Sequence, residues 1–280
     1  MFRLRGLSAW IRELAGPVAT DAFAAITNLG DPFFLLVVIA VYYWLAEERD
    51  GPAQLVAFTL LAVAVTVTLK NGLALPRPPA EIQAVPTDGD SYGFPSGHAL
   101  GATVVYGGLA TVDERLHGVG ATGVLSLLVA LVGLSRVVIG VHYVGDVLAG
   151  TAIGGVLIVL LWKSDARHRP LVAGAAAVVA LPGVVVTAGG TDSTFVFGAA
   201  VGAALIFALV DVETLPDAAA VPQGAALVAT GLVMLGGAYS LALTVGHPLA
   251  FAAGGVVMLG GSLVLPRALQ VMQAALPAAD

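Results

Sequence analysis

Residues 119–163 read VGATGVLSLLVALVGLSRVVIGVHYVGDVLAGTAIGGVLIVLLWK, and this stretch decides the fold. Its two apolar runs, 119–139 and 144–162, can each cross a bilayer, since a spanning helix needs about 20 mostly apolar residues. The turn between them carries Ser135-Arg136, His142 and Asp146. Charges beside membrane-spanning helices are costly, and they are kept where they act on something.

Outward from this pair the same reading repeats. Further spans are expected near 32–46, 53–75 and 97–113 upstream, and near 171–188, 194–210, 223–244 and 248–266 downstream, nine in all. The chain is 58% hydrophobic and 11% charged, with mean hydropathy +0.95, against about 25% charged residues in a soluble domain. An all-α, polytopic transmembrane bundle follows. The net charge of -6 and the lack of any basic run argue against nucleic acid as a partner. With no cysteine, disulfides, zinc thiolates and thiol nucleophiles are excluded.

Three regions are expected. Residues 1–30 place Phe2, Leu4, Leu7, Trp10, Ile11 and Leu14 at helical spacing against Arg3, Arg5 and Arg12, the pattern of an amphipathic helix lying on the membrane. No cleavable signal peptide is expected there. Residues 31–163 hold every polar cluster. The charged stretch Lys163 to Pro170 marks a boundary, and residues 170–268 add four spans with almost no intramembrane charge. Two phrases, Gly231 to Gly237 and Gly255 to Gly261, resemble one another, and the pairs Gly150/Gly154 and Gly198/Gly202 suit close helix packing. Tyr42, Tyr43 and Trp44 read as an aromatic belt at the end of the first span. Apart from the polar clusters, three arginines (Arg3, Arg5, Arg12) fall on the N-terminal side and six basic residues (Arg49, Arg115, Lys163, Arg167, Arg169, Arg267) on the other. The positive-inside rule then puts the clusters near the outer face of the cell membrane.

The clusters suit phosphate chemistry. Lys70 and Arg77 are about two helical turns apart, and Pro76, Pro78 and Pro79 end the helix and stiffen the chain around Arg77. A guanidinium grips phosphate with two donors, and an ammonium acts as a point charge. Pro95-Ser96-Gly97-His98 opens a span, where free backbone N–H groups attract an anion; taken alone, Ser96 also reads as an ordinary helix cap. His98 is placed to protonate a leaving oxygen. His142 and Asp146 are four apart and share a helix face, so a carboxylate bonded to one ring nitrogen would leave the other free to attack. Arg136 ends the preceding span within reach of the same pocket.

Lys70-x6-Arg77-Pro78, Pro95-Ser96-Gly97-His98 and Ser135-Arg136-x5-His142-x3-Asp146 resemble, in order, the three signature motifs of the type 2 phosphatidic acid phosphatases (PAP2). That superfamily also includes acid phosphatases and vanadium haloperoxidases. The resemblance covers residues 30–163 and leaves out the last four spans. It implies a PAP2-like helical core and no metal cofactor. It implies His142 as nucleophile through a phosphohistidine, Asp146 orienting it, and His98 as acid to the leaving group. Lys70, Arg77, Ser96, Gly97 and Arg136 would hold the phosphate.

The expected function is hydrolysis of a lipid phosphate or diphosphate whose tail stays in the bilayer. A polyprenyl diphosphate is favoured by an outward-facing site, with phosphatidic acid and phosphatidylglycerol phosphate as candidates. A phosphotransferase using the same site is the alternative, and a non-enzymatic lipid-phosphate carrier a weaker one. His117, His168, His247, Asp88 and Asp90 are expected to lie outside the site.

Overall fold

The computed structural model describes residues 2–87, 92–215 and 221–275, without the side chains of 221–223 and 270–275. Asp88 and Asp90 therefore lie outside the described residues. Among the described residues the chain is helical, with no strand. The helices are α1 (Arg5–Ile26), α2 (Pro32–Leu45), α3 (Asp50–Leu73), α4 (Gly97–Val112), α5 (Val119–Val138), α6 (Val144–Lys163), α7 (Arg169–Val186), α8 (Thr191–Leu209), α9 (Val221–Val245) and α10 (Pro248–Gly255). A π-helical turn at Val256–Gly260 joins α10 to α11 (Gly261–Ala275).

A helix stands at each of the nine expected positions, but not all are long enough to cross alone. Among the described residues seven helices meet the length and apolarity of a span, or up to eight with a bent pair counted as one. α2 has 14 residues and α4 has 16; at 1.5 Å per residue these reach about 21 and 24 Å, short of a hydrocarbon core of about 30 Å. The bent pair consists of α2 and the N-terminal helix, Arg5–Gly30, at 46°. The N-terminal segment is helical on both sides of a break at Gly16 (φ 65°, ψ 176°), just before Pro17, where the sequence suggested a surface helix over residues 2–14.

The chain forms two compact units. The first comprises Met1–Leu36 and Val65–Ser164, the second Val37–Ala64 and Asp165–Asp280. The break at Ser164 falls in the charged stretch singled out in the sequence. The other breaks do not follow the expected regions, because the N-terminal helix packs on α5 in the first unit and residues 37–64 join the second.

In the first unit α4 packs against α5 and α6. Gly150 and Gly154 make this possible: a Cβ on either would meet the backbone or side chains of Ser96, Leu100 or Thr103. The second unit packs α8 against α7 and α10. There the Gly198/Gly202 pair receives the backbone of Ala252 and Val256. The two similar glycine phrases differ in structure. Gly255 sits against Phe195 and Ala199 and opens the π turn, whereas Gly231 faces the Trp44 ring.

Tyr43 and Trp44 do not form an interfacial belt. They are 1% and 0% exposed, and they donate to the carbonyls of Leu263 (2.8 Å) and Ser262 (2.9 Å). A buried phenol or indole needs such a partner, and the second unit supplies both from its last helix.

Candidate active site

The polar clusters meet at one end of the first unit, where α3 and α5 finish and α4 and α6 begin. Lys70 lies in the last turn of α3 and Arg136 in the last turn of α5. Ser96 caps α4, its Oγ accepting from Ala99 N at 3.4 Å, while its own N–H donates to the Asp146 carbonyl at 3.0 Å. Gly97 and His98 follow in the first turn. Asp146 caps α6 from inside, accepting from Tyr143 N at 2.9 Å. The loop carrying His142 is tied to α5 because the Arg136 carbonyl accepts from both Val141 N (3.2 Å) and His142 N (3.1 Å).

His142 is 1% exposed, and its two nitrogens have different neighbours. Nδ1 lies 2.7 Å from the carbonyl oxygen of Gly93. A carbonyl only accepts, so Nδ1 carries the proton. Nε2 lies 3.2 Å from Nη1 of Arg77. A guanidinium only donates, so Nε2 keeps its lone pair. Arg77 Nη1 also reaches the Val141 carbonyl at 3.2 Å. The expected hydrogen bond from Asp146 to the ring is not made. Asp146 Oδ2 is 3.7 Å from Nδ1, too long for a bond, and it acts there as a charge. Its oxygens are taken by Tyr143 N and by Arg3 instead.

Burial is the largest influence on the His142 ring and pushes it down to about 3, against the opposing pull of Asp146. Arg136, Arg77 and Lys70 act in the same direction as burial. The ring is therefore neutral across the physiological range, with a lone pair at Nε2.

His98 packs against Gly30, and among the described residues no group hydrogen-bonds its ring. The charges of Arg136, Lys70 and Arg77 bear on it. Arg136 is 7% exposed; Nη1 donates to Thr27 Oγ1 at 2.6 Å, but Nε is buried without a hydrogen-bond partner. A buried donor left unsatisfied is costly, and an anionic oxygen would satisfy it. Among the described residues no group of three or more His, Asp or Glu side chains could hold a metal ion. The positive charge facing the ring comes from the side chains just named.

His117, His168 and His247 are engaged elsewhere, with Thr111, Asp165 and Leu249 respectively. Four contributors were given no role in the site from the sequence, although Gly93 opens the stretch Gly93-Phe94-Pro95-Ser96-Gly97-His98. Gly93 supplies the carbonyl that fixes the His142 tautomer, Thr27 holds Arg136, Arg3 holds Asp146, and Gly30 makes room for Val132 beside His98. A Cβ at Gly93 would crowd the Arg3 guanidinium and the backbone of Pro76 and Arg77. These residues come from loops and from the N-terminal segment, and no local pattern marks them.

A family model described as the PAP2 superfamily matches residues 51–170. Phosphatidylglycerophosphatase B of Bacillus subtilis (strain 168) is 30% identical over 163 residues, covering 55% of this chain and 78% of that protein. Among solved structures, a transmembrane PAP2-type phosphatidylglycerolphosphate phosphatase from Bacillus subtilis matches with a TM-score of 0.48 and 28% identity, over 57% of this chain and 84% of that one. Aquifex aeolicus LpxE matches with a TM-score of 0.46 and 21% identity, over 57% and 94%. The chain belongs to the PAP2 superfamily, as an integral-membrane phosphatase of lipid phosphates.

Proposed function

We propose that this protein hydrolyses the phosphate ester of a membrane lipid through a covalent phosphohistidine on His142. The observation that carries the reading is the two-sided restraint on that ring: Nδ1–H against Gly93 O and the Nε2 lone pair facing Arg77. A nucleophile so oriented needs no further activation by a base.

In the first step Nε2 attacks phosphorus and the bond to the lipid oxygen breaks. His98 gives that oxygen a proton and the lipid alcohol leaves. In the second step water attacks phosphorus, His98 takes back a proton, the P–N bond breaks and orthophosphate departs. Arg77, Arg136 and Lys70 meet the phosphoryl oxygens, and the unpaired Nε of Arg136 is one donor ready for them. Such preset donors stabilise the charge that develops in the transition state. Ser96 and Gly97 place the start of α4 beside this pocket.

A relative's name favours phosphatidylglycerol phosphate as the first substrate to try, ahead of the polyprenyl diphosphate suggested by an outward-facing site. Placing the site outside rests on the count of basic residues. Within the first unit, Arg115 follows the C-terminal end of α4 and Lys163 is the last residue of α6, both at the ends away from the site. The test is phosphate release in EDTA from phosphatidylglycerol phosphate, phosphatidic acid and a polyprenyl diphosphate. Release from none of the three would reject the reading. Side-specific labelling of a cysteine placed in loop 76–87 would show which leaflet supplies the substrate.

A further inference from the structure

The chain begins with an arm that closes on the active-site loop. Arg3 is 5% exposed and Asp146 0%. Arg3 Nε and Nη2 each donate to one carboxylate oxygen of Asp146 at 2.7 Å, and Nη1 donates to the Pro76 carbonyl at 2.7 Å. The Arg3 guanidinium lies 4.6 Å from the centre of the Tyr143 ring. The backbone joins in: Gly145 N donates to Arg3 O at 3.2 Å, and Val144 N to Ser8 Oγ at 2.9 Å. The Phe2 ring meets Phe94 edge-on at 5.6 Å. Gly145 is the residue that lets the arm in, since a Cβ there would overlap the backbone of Phe2 and Arg3. Arg3 lies outside residues 51–170, the part matched by the family model.

This arrangement deepens the phosphatase reading and rests on it. We propose that Arg3 is a positioning residue that holds the Asp146 carboxylate off the His142 ring, and so sets how well His142 serves both as nucleophile and as leaving group. The reason is charge. When Nε2 bonds to phosphorus with Nδ1 still protonated, the ring becomes cationic; when the P–N bond breaks, it returns to neutral. A carboxylate hydrogen-bonded to Nδ1 would stabilise the cationic ring, speeding the first step and slowing the second. Arg3 neutralises that carboxylate and keeps it 3.7 Å away. The other charged or titratable groups bearing on the ring are Arg77 after α3, Lys70 on α3, Arg136 on α5 and His98 on α4. Arg5 stacks on Tyr143 at 5.2 Å. Asp146 is thus the carboxylate whose freedom matters.

The test replaces Arg3 by Gln, which keeps a donor without charge, and by Lys, which keeps the charge without the fork. Nitrogen-15 histidine spectra of the full chain in detergent micelles read the ring directly, with His142 assigned by its absence in His142→Asn. In Arg3→Gln the His142 ring should titrate higher by about one unit or more, the usual effect of a freed neighbouring charge. Arg3→Lys should shift it less in the same direction, and it carries the test alone if the glutamine variant does not fold. In turnover the acid limb of kcat should move the same way, and phosphoenzyme trapped by alkaline quench should rise several-fold. In an Asp146→Asn background Arg3→Gln should do neither. An unmoved ring, a kcat merely scaled with an unchanged pH profile, or an equal effect without the Asp146 charge would overturn the proposal. The spectra need no turnover. A wild-type protein that hydrolyses no lipid therefore defeats the phosphatase reading separately.

Discussion

Each compact unit buries polar side chains, and they are used differently. In the second unit Tyr43, Trp44 and Arg49 donate to the backbone carbonyls of Leu263, Ser262 and Leu215, and Ser262 donates to Leu259. The first three bonds tie distant parts of the unit together, and the last stays within one helical stretch. In the first unit Arg3, Arg77, Arg136, His142 and Asp146 come together at a few atoms. Polar groups spread over separate contacts fasten a fold; cations and an imidazole that converge on one spot can hold a ligand.

The comparison is sharpest at His142. His142→Ala should lower kcat by about 10⁴-fold or more, as loss of a covalent nucleophile does, while leaving the folded protein in place. Retained turnover would move the chemistry elsewhere. Arg136→Ala comes next, at about 10²- to 10³-fold in kcat, the usual loss of one transition-state donor. An effect confined to KM would make Arg136 a binding group only.

The pH profile is a gentler test. His142 must be neutral to attack, and burial holds it near 3. As pH falls, the neutral form is therefore lost only on passing the lowered value. The acid limb of kcat/KM set by this ring should thus lie well below the ordinary histidine value of about 6.5. A limb at the ordinary value would mean that the ring is more solvated than its burial indicates. In the second unit Tyr43→Phe removes one bond to Leu263. It should cost about 1 kcal/mol of stability, read as a lower melting temperature, with kcat unchanged. A fall in kcat there would blur the division of labour between the units. Prolonged EDTA treatment should change activity least of all, because the cations assigned to the phosphate are side chains.

Much of the site was legible because its residues sit where charge is rare. Lys70, Arg77, His98, Arg136, His142 and Asp146 stood out against an apolar background, and each lies at a helix end that the hydropathy pattern locates. What was missed has an equally physical explanation. Gly93 acts through its carbonyl, which every residue possesses. Thr27 and Gly30 lie in a helical turn with no charge to mark it. Arg3 belonged to an amphipathic pattern whose plainest meaning was membrane contact. Tyr43 and Trp44 matched the composition of a membrane interface, yet their rings are core.

The sequence by itself determined that the chain is a helical membrane protein with charged and imidazole side chains at helix ends, because apolar length and the cost of buried charge leave few other solutions. Only the tertiary structure decided which groups those residues meet: Gly93 rather than Asp146 at Nδ1, and Arg3 on the carboxylate. Hydrogen-bond partners are chosen over a few ångströms by residues far apart in the chain, and no local periodicity encodes that choice.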